Sequence, residues 1–286
     1  MKKILLTGVT GFIGSNIYKL LTKSGYEVDC IVRKKNKNFK RIIVHDLKKP
    51  FQKKKYKKYD CIVHAAAYSP INEKNITPLF YNNVIATKNL VDFANCYKIK
   101  KIIFMSSVSI YGDIKCKIIK NTTSINNPSD YGLSKLLCEK LLNNEANNFK
   151  SISIRLPGVL GSNSVRNLFT NLLYNIRNNK NIEIYNPDFK FNNCIHVDDL
   201  ANFVKTLIEK KLTKHDQVVV GAVRGLKIVD IVQRMIDKLN SSSKIKIKRS
   251  NLLSFNISSS YAVKNYNFKP KTVYSTIRNF LEDNSK

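Results

Sequence analysis

Thr7-Gly8-Val9-Thr10-Gly11-Phe12-Ile13-Gly14 is the stretch that decides the fold. Before it, Lys3 to Leu6 is a short apolar run with the profile of a buried parallel strand. After it, Ile13 to Lys23 carries apolar residues at helical spacing, with Gly25 as the stop. Gly8 permits a tight turn and Gly11 lets the backbone approach a pyrophosphate. Gly14 lets the helix pack closely on the strand, while the first helical amides face the anion. A structural glycine turn without a ligand is the alternative at this point.

Working outward, Val28 to Val32, Ile42 to Val44, Cys61 to His64, Ile102 to Met105 and Ser151 to Arg155 read as further strands. Helical stretches at Asn83 to Cys96 and Ser134 to Leu142 separate them. Strands alternating with helices of this length require right-handed crossovers and predict an α/β fold, a Rossmann-type doubly wound parallel sheet. After Gly161 the pattern loosens. Helices are expected at Leu168 to Ile176, Leu200 to Ile208, Ile228 to Leu239 and Thr272 to Leu281, and strands at Ile182 to Tyr185 and Gln217 to Val220. The tail from Ser241 reads as polar up to the last helix. The expected division is a dinucleotide-binding domain of residues 1–161 and about 191–221, with a smaller discontinuous α/β substrate region of residues 162–190 and 222–286.

Composition bounds the function. The 286 residues are 43% hydrophobic, enough for a proper core, and no apolar run reaches the roughly 20 residues that span a bilayer. The apolar start at Ile4 is broken by Thr7-Gly8, unlike a signal peptide, so a cytoplasmic protein is expected. Fifty basic residues against 20 acidic ones give a net charge of +30. The densest stretch, Arg33 to Lys58, has Asp46 as its only acid, yet it carries no recognition-helix pattern and no zinc spacing. The charge reads as compositional background that attracts anionic metabolites, not as a specific nucleic-acid surface. Cys30, Cys61, Cys96, Cys116, Cys138 and Cys194 are scattered and form no metal or disulfide pattern.

The acid that grips an NAD ribose should end the second strand, but the chain there reads Ile31-Val32-Arg33-Lys34-Lys35. Arg33 is suited to clamp the 2′-phosphate of NADP, so NADP(H) is favoured and NAD(H) stays open. Tyr131 and Lys135 stand at i and i+4 and project from one helix face. A cation beside a phenol favours the phenolate, which suits Tyr131 to pass a proton to or from a carbinol oxygen. Upstream, Met105-Ser106-Ser107 ends a strand and offers a hydroxyl for the same oxygen.

Together these residues resemble the extended short-chain dehydrogenase/reductase family, of the NAD-dependent epimerase/dehydratase type. The resemblance is carried in order by Thr7 to Gly14, Asp46-Leu47, His64-Ala65-Ala66-Ala67 and Asn83-Val84. It continues through Ser106 to Gly112, Tyr131 to Lys135, Arg155 to Gly161, Ile195 to Ala201 and Asn267-Phe268-Lys269-Pro270. It implies Tyr131 as acid/base, Lys135 as holder of the nicotinamide ribose and tuner of Tyr131, and Ser107 as orienter of the reacting oxygen. It also implies Gly8, Gly11, Phe12, Ile13 and Gly14 at the pyrophosphate, Asp46 and Leu47 at the adenine, Ala65, Ala66 and Ala67 along the cofactor, and Pro157 near the nicotinamide. His64 and His196 read as strand-packing residues, and Asp198 and Asp199 as caps of the helix starting at Leu200.

Departures from the family pattern narrow the chemistry. Related dehydratases carry an Asp-Glu pair where this chain has Val108 and Ser109, and decarboxylases a Glu at Ser109. Reduction of a keto-sugar, nucleotide-linked in form, is therefore the leading expectation, a nucleotide-sugar 4-epimerase with tightly bound NAD the second, and a non-catalytic NADP(H) sensor the third. Gly158 replaces an Asn that epimerases carry, and Phe191-Asn192-Asn193 replaces a segment with a nucleotide-clamping Arg. Ser107, Asn192 and Arg224 are the candidate substrate residues, with Arg166 and Arg177 as further cations. A lipid-linked sugar is also open. A homodimer through the helices bearing Asn83 to Cys96 and Tyr131 to Leu142 is implied by the resemblance alone.

Overall fold

The computed structural model describes residues 1–52, 56–69, 76–144, 149–165, 167–248 and 253–285. Its main sheet is built from β1 (Lys3–Thr7), β2 (Glu27–Val32), β3 (Ile42–Val44), β4 (Cys61–His64), β5 (Lys101–Ser107), β6 (Lys150–Leu156) and β7 (Asp216–Val219). The seven strands lie in the order β7-β6-β5-β4-β1-β2-β3, and the ladders β2–β3, β1–β2, β1–β4 and β4–β5 are parallel. The order reverses beside β1, which makes the outer ends of β1 and β4 the place where a doubly wound sheet opens a crevice.

The strands are short and apolar on both faces because helices cover both. On one face, α2 (Ala86–Cys96) and α3 (Asp130–Asn144) bury Leu90, Val91, Phe93, Cys138 and Leu142 against Leu5, Ile62, Ile102 and Phe104. α1 (Phe12–Lys23) buries Ile17 and Leu21. Val197–Glu209 ends where Lys101 Nζ donates to the carbonyls of Leu207 and Ile208, each at 2.8 Å, an internal cap for the helix C terminus.

By Cα proximity the chain forms two compact units, the first of Met1–Asp113, Ser124–Arg155 and Ala201–Val218, and the second of Ile114–Thr123, Leu156–Leu200 and Val219–Lys286. The chain thus leaves the first unit at Arg155 and not at Gly161. The second unit has its own core, where Phe169, Leu173 and Ile176 of the helix Leu168–Arg177 pack with Ile231, Met235, Ile277 and Phe280.

Four expectations from the sequence need correction. The helix expected from Asn83 begins at Ile76, with a π-helical segment over Phe80–Ile85 that shifts the apolar repeat and hides the earlier turn. The helix expected from Ser134 begins at Asp130, so Tyr131 lies in its first turn; Gly132 weakens the helical signal there. The helix expected from Leu200 begins at Val197, so Asp198 and Asp199 are first-turn residues facing the helix dipole, not caps. The tail after Ser241 holds structure: Ile245–Lys248 pairs in parallel with Ile182–Tyr185, Asn256–Ile257 pairs with Ile118–Ile119, and Ser260–Tyr266 is helical. All six cysteines are free thiols.

Candidate active site

The glycine turn follows β1 and is shaped by what cannot fit. Gly8 has φ +74°, and a Cβ there would lie 2.5 Å from the Ala65 carbonyl carbon and the Ala66 nitrogen. A Cβ on Gly14 would lie 2.1 Å from the Gly8 oxygen. At Gly11, by contrast, the nearest atom is 3.3 Å away. Gly8 and Gly14 therefore lock strand, turn and helix together, while Gly11 leaves the backbone bare at the N-cap of α1. Phe12 and Ile13 open α1, whose first turn contains no acidic residue. A cradle without side chains at a helix N terminus fits the pyrophosphate of a dinucleotide.

In front of this turn lies a groove of about 210 Å³ lined by Gly8, Gly11, Arg33, Asp46, Leu47, Ala65, Ala66 and Ala67. Thr10, His45, Lys48, Tyr68 and Asn82 also line it, and the sequence reading had not singled them out. Arg33 is exposed just beyond β2. Asp46 accepts a hydrogen bond from the Lys48 amide at 3.1 Å, with Lys48 Nζ 3.7 Å from its carboxylate. Asn89 of α2 holds the Leu47 carbonyl at 2.8 Å.

Beneath the groove runs a buried polar chain. The Ala66 amide donates to Thr7 Oγ1 at 3.2 Å, and Thr7 Oγ1 lies 2.7 Å from His64 Nδ1. On the other side, His64 Nε2 lies 3.1 Å from Thr87 Oγ1, which donates to the Asn83 carbonyl at 2.7 Å. With Thr87 committed as that donor, the proton of His64 sits on Nε2, and Nδ1 accepts from Thr7. Burial, and then the cation of Lys135, push the imidazole down to about 3, so it stays neutral. His64 packs in the strand as expected, and it also fixes the loop that carries Ala65 to Ala67.

Ser107, Tyr131 and Lys135 belong to the same unit. Ser107 ends β5; its Oγ accepts from the Ser109 amide at 3.1 Å and caps the short 3₁₀ turn Val108–Tyr111. Lys135 is 2% exposed, and its Nζ donates to the Met105 carbonyl at 2.8 Å. The same ammonium lies 4.7 Å from the Phe104 ring centroid and 5.9 Å from that of Tyr131. Gly132 explains how α3 comes so close: a Cβ there would lie 2.2 Å from the Ser109 oxygen. Asn83 ties the π-helical segment to both sides, exchanging hydrogen bonds with the Tyr68 backbone and donating to Ser134 Oγ at 3.0 Å.

The substrate candidates fall differently. Asn192 is spent on structure: its Nδ2 donates to the carbonyls of Ala222 and Ile257 at 3.0 and 2.8 Å, and its Oδ1 accepts from the Ile257 amide at 2.8 Å. Its neighbour Asn193 has a buried Oδ1 without a partner among the described residues. Arg224, with φ +50°, lines a cavity of about 510 Å³ in the second unit together with Ile118, Ser258, Ser260 and Lys264. Arg177 donates to the Asn284 carbonyl. Arg166 lies outside the described residues. Pro157 is buried between β6 and the short strand Gly158–Leu160. His196 is buried and lies 3.2 Å from Asp283 of the last helix. Val108 and Ser109 bring no carboxyl group to the turn after Ser107, and no metal-binding cluster occurs among the described residues.

A dTDP-D-glucose 4,6-dehydratase of Dictyostelium discoideum is 26% identical over 73% of this chain and 56% of its own length. A UDP-glucose 4-epimerase of Lactobacillus helveticus is 31% identical over 57% of this chain and 53% of its own. The chain thus spans about half the length of these curated relatives. The fold is shared with the UDP-glucuronic acid 4-epimerase of Bacillus cereus solved with NAD, at a TM-score of 0.83 and 23% identity over 97% of this chain and 96% of that one. The model of the NAD dependent epimerase/dehydratase family matches residues 4–221, and the chain belongs to that family.

Proposed function

We propose that this protein is a nucleotide-sugar 4-epimerase using tightly held NAD(H). The observation that carries the reading is the docking of α3 on the end of β5, with Lys135 on the Met105 carbonyl, Gly132 against Ser109, and Ser107 capping the turn that follows. A Ser, Tyr and Lys set without an added acid and base after Ser107 supports oxidation and re-reduction at one carbon, and not elimination of water. The curated UDP-glucose 4-epimerases among the relatives support the same choice over the keto-sugar reduction expected first.

In this reading Ser107 Oγ orients the sugar hydroxyl. Tyr131, as phenolate, accepts its proton as the carbinol becomes a ketone, and returns that proton when the ketone is reduced on its other face. Lys135 supports the phenolate as a buried cation and holds the nicotinamide ribose. The bound nicotinamide supplies the hydride acceptor and donor. Gly8, Gly11, Phe12, Ile13 and Gly14 hold the pyrophosphate, Ala65 to Ala67 flank the cofactor, Asp46 and Leu47 border the adenine, and Pro157 lies near the nicotinamide. We assign the sugar nucleotide to the second unit, with Arg224 as its cation. Exposed Phe80 and Tyr81 on the π-helical segment favour a homodimer through that helix.

The test is incubation with UDP-galactose, with UDP-glucose followed by NMR, and identification of the dinucleotide released on denaturation. Interconversion with stoichiometric NAD⁺ is expected. A second reading, an NADPH-dependent keto-sugar reductase, is favoured by one observation: Arg33 and Lys48 line the groove where an acid would grip an NAD ribose. A protein without bound dinucleotide, inert to UDP-galactose but oxidising NADPH with a 4-keto sugar nucleotide, would replace the first reading with the second. A protein that binds the dinucleotide yet turns over nothing in either assay would leave only a cofactor-binding module.

A further inference from the structure

Behind the Ser107, Tyr131 and Lys135 set lies a charged cluster that has no part in the chemistry above. Glu139 of α3 and Arg155 of β6 are 4% and 6% exposed, yet both carry a formal charge. They form a two-pronged ion pair, Arg155 Nη2 to Glu139 Oε2 at 2.8 Å and Arg155 Nε to Glu139 Oε1 at 3.1 Å. Ser106 Oγ donates to Glu139 Oε1 at 2.6 Å. The remaining donor of Arg155, Nη1, reaches the hydroxyl of fully buried Tyr111 at 3.1 Å, and the guanidinium lies 5.2 Å from that ring's centroid.

Stability alone does not account for such a pair. Removing two charges from water costs several kcal/mol per ion, and apolar side chains of similar volume often replace a buried pair without loss. What apolar side chains cannot supply is a directional lock. Ser106 precedes the reacting-oxygen candidate Ser107, and Tyr111 closes the turn that Ser107 opens. Glu139 follows Lys135 by one helical turn and Tyr131 by two, all near one face of α3. Successive turns of α3 therefore reach successive residues of β5: Lys135 the Met105 carbonyl, Glu139 the Ser106 hydroxyl. Each residue of axial slip would move the Tyr131 hydroxyl by about 1.5 Å relative to Ser107. Displacements of about 1 Å at a reacting group can cost on the order of a hundredfold in rate.

We propose that Glu139 is a positioning residue which, held by Arg155, sets the register of α3 on β5 and so places Tyr131 against Ser107. The proposal rests on the reading of Tyr131 as acid/base. Single removal of either charge leaves its partner buried and unpaired, so unfolding of Glu139→Gln or Arg155→Met would be ambiguous. The informative protein is the double variant Glu139→Leu/Arg155→Met, which keeps volume and removes both charges. Three quantities are measured on it beside wild type and Tyr131→Phe: Tm, and kcat and KM with UDP-galactose.

The expected result is a Tm within a few degrees of wild type and a kcat lowered about 30-fold at a KM changed less than about twofold. A folded double variant with wild-type kcat would make the pair merely structural and overturn the proposal. So would a loss of kcat fully explained by a fallen Tm. If wild type does not turn over UDP-galactose, the same kcat and KM comparison is read with NADPH and a 4-keto sugar nucleotide. If Tyr131→Phe retains full turnover, the acid/base reading itself fails and the positioning role falls with it.

Discussion

In the first unit the loop after β1 is held by the absence of side chains, since a Cβ on Gly8 or Gly14 would lie within 2.5 Å of neighbouring backbone. In the second unit the loop after β7 is held by side chains brought from elsewhere. Asn192 grips Ala222 and Ile257, and Ser259 Oγ accepts from the Gly221 amide at 2.8 Å and donates to its carbonyl at 2.9 Å. The glycines of that second loop are less crowded, with nearest contacts of 3.1 Å at both Gly221 and Gly225. One loop is fixed by what the backbone itself must do, the other by which polar partners happen to be supplied. The first solution is bound to particular residues, while the second admits many.

The sharpest way to break this contrast is Gly14→Ala. The added methyl would meet the Gly8 carbonyl, so α1 must move off β1 or the turn must open. A loss of about 3 kcal/mol is expected, together with loss of dinucleotide retained through purification. Thermal melts with and without added NAD⁺ would check it. A variant as stable as wild type that still retains its dinucleotide would show that the turn tolerates a side chain. The matching test in the second unit is Asn192→Ala beside Asn193→Ala. The first leaves the Ile257 amide and two carbonyls without their partner and should cost about 2 kcal/mol. The second removes an amide whose buried oxygen already lacks a partner among the described residues and should leave Tm within about a degree. Equal losses at the two positions would remove the distinction between them.

That contrast also explains what the sequence disclosed. Glycines forced by close backbone approach leave a pattern in sequence, so Thr7 to Gly14 was legible, and the alternation of short apolar runs with helices disclosed the sheet around it. Tyr131 and Lys135 were legible because helical spacing places both on one face. The structural bonds of Asn192 were not legible, because an amide spent on distant backbone looks the same in sequence as a free one. Glu139 and Arg155 were passed over because charged residues are ordinarily exposed, and among 50 basic side chains nothing in the sequence marks Arg155 as buried. The π-helical turn at Phe80–Ile85 was hidden by the shift it introduces into the apolar repeat.

His64 offers a test confined to the first unit. Its ordinary value near 6.5 is pushed down to about 3 in the folded protein, by burial first and by Lys135 second. The unfolded chain therefore binds an extra proton between those limits. The stabilisation is complete above pH 6.5 and is lost progressively as pH falls towards 3. At pH 5 the loss from this group alone should be about 2 kcal/mol. His64→Gln, which keeps hydrogen-bonding capacity without titrating, should flatten the acid limb of a Tm-against-pH curve relative to wild type. Parallel acid limbs for the two proteins would show that the imidazole is not held neutral.

The smallest expected effect lies at the groove's rim. Arg33 sits just past β2 with an exposed side chain, in the same groove as Asp46 and Lys48. A guanidinium there can clamp a 2′-phosphate in two-pronged fashion but gains nothing from a free ribose hydroxyl. Arg33→Ser should therefore weaken NADPH about tenfold, some 1.4 kcal/mol, and leave NADH within about twofold. Binding titrations at constant ionic strength separate this from the general pull of a chain carrying +30. A fall that is equal for both dinucleotides and vanishes at high salt would return Arg33 to the basic background. A selective fall that survives salt would make this rim, unlike the glycine turn below it, a place where one side chain decides which cofactor is held.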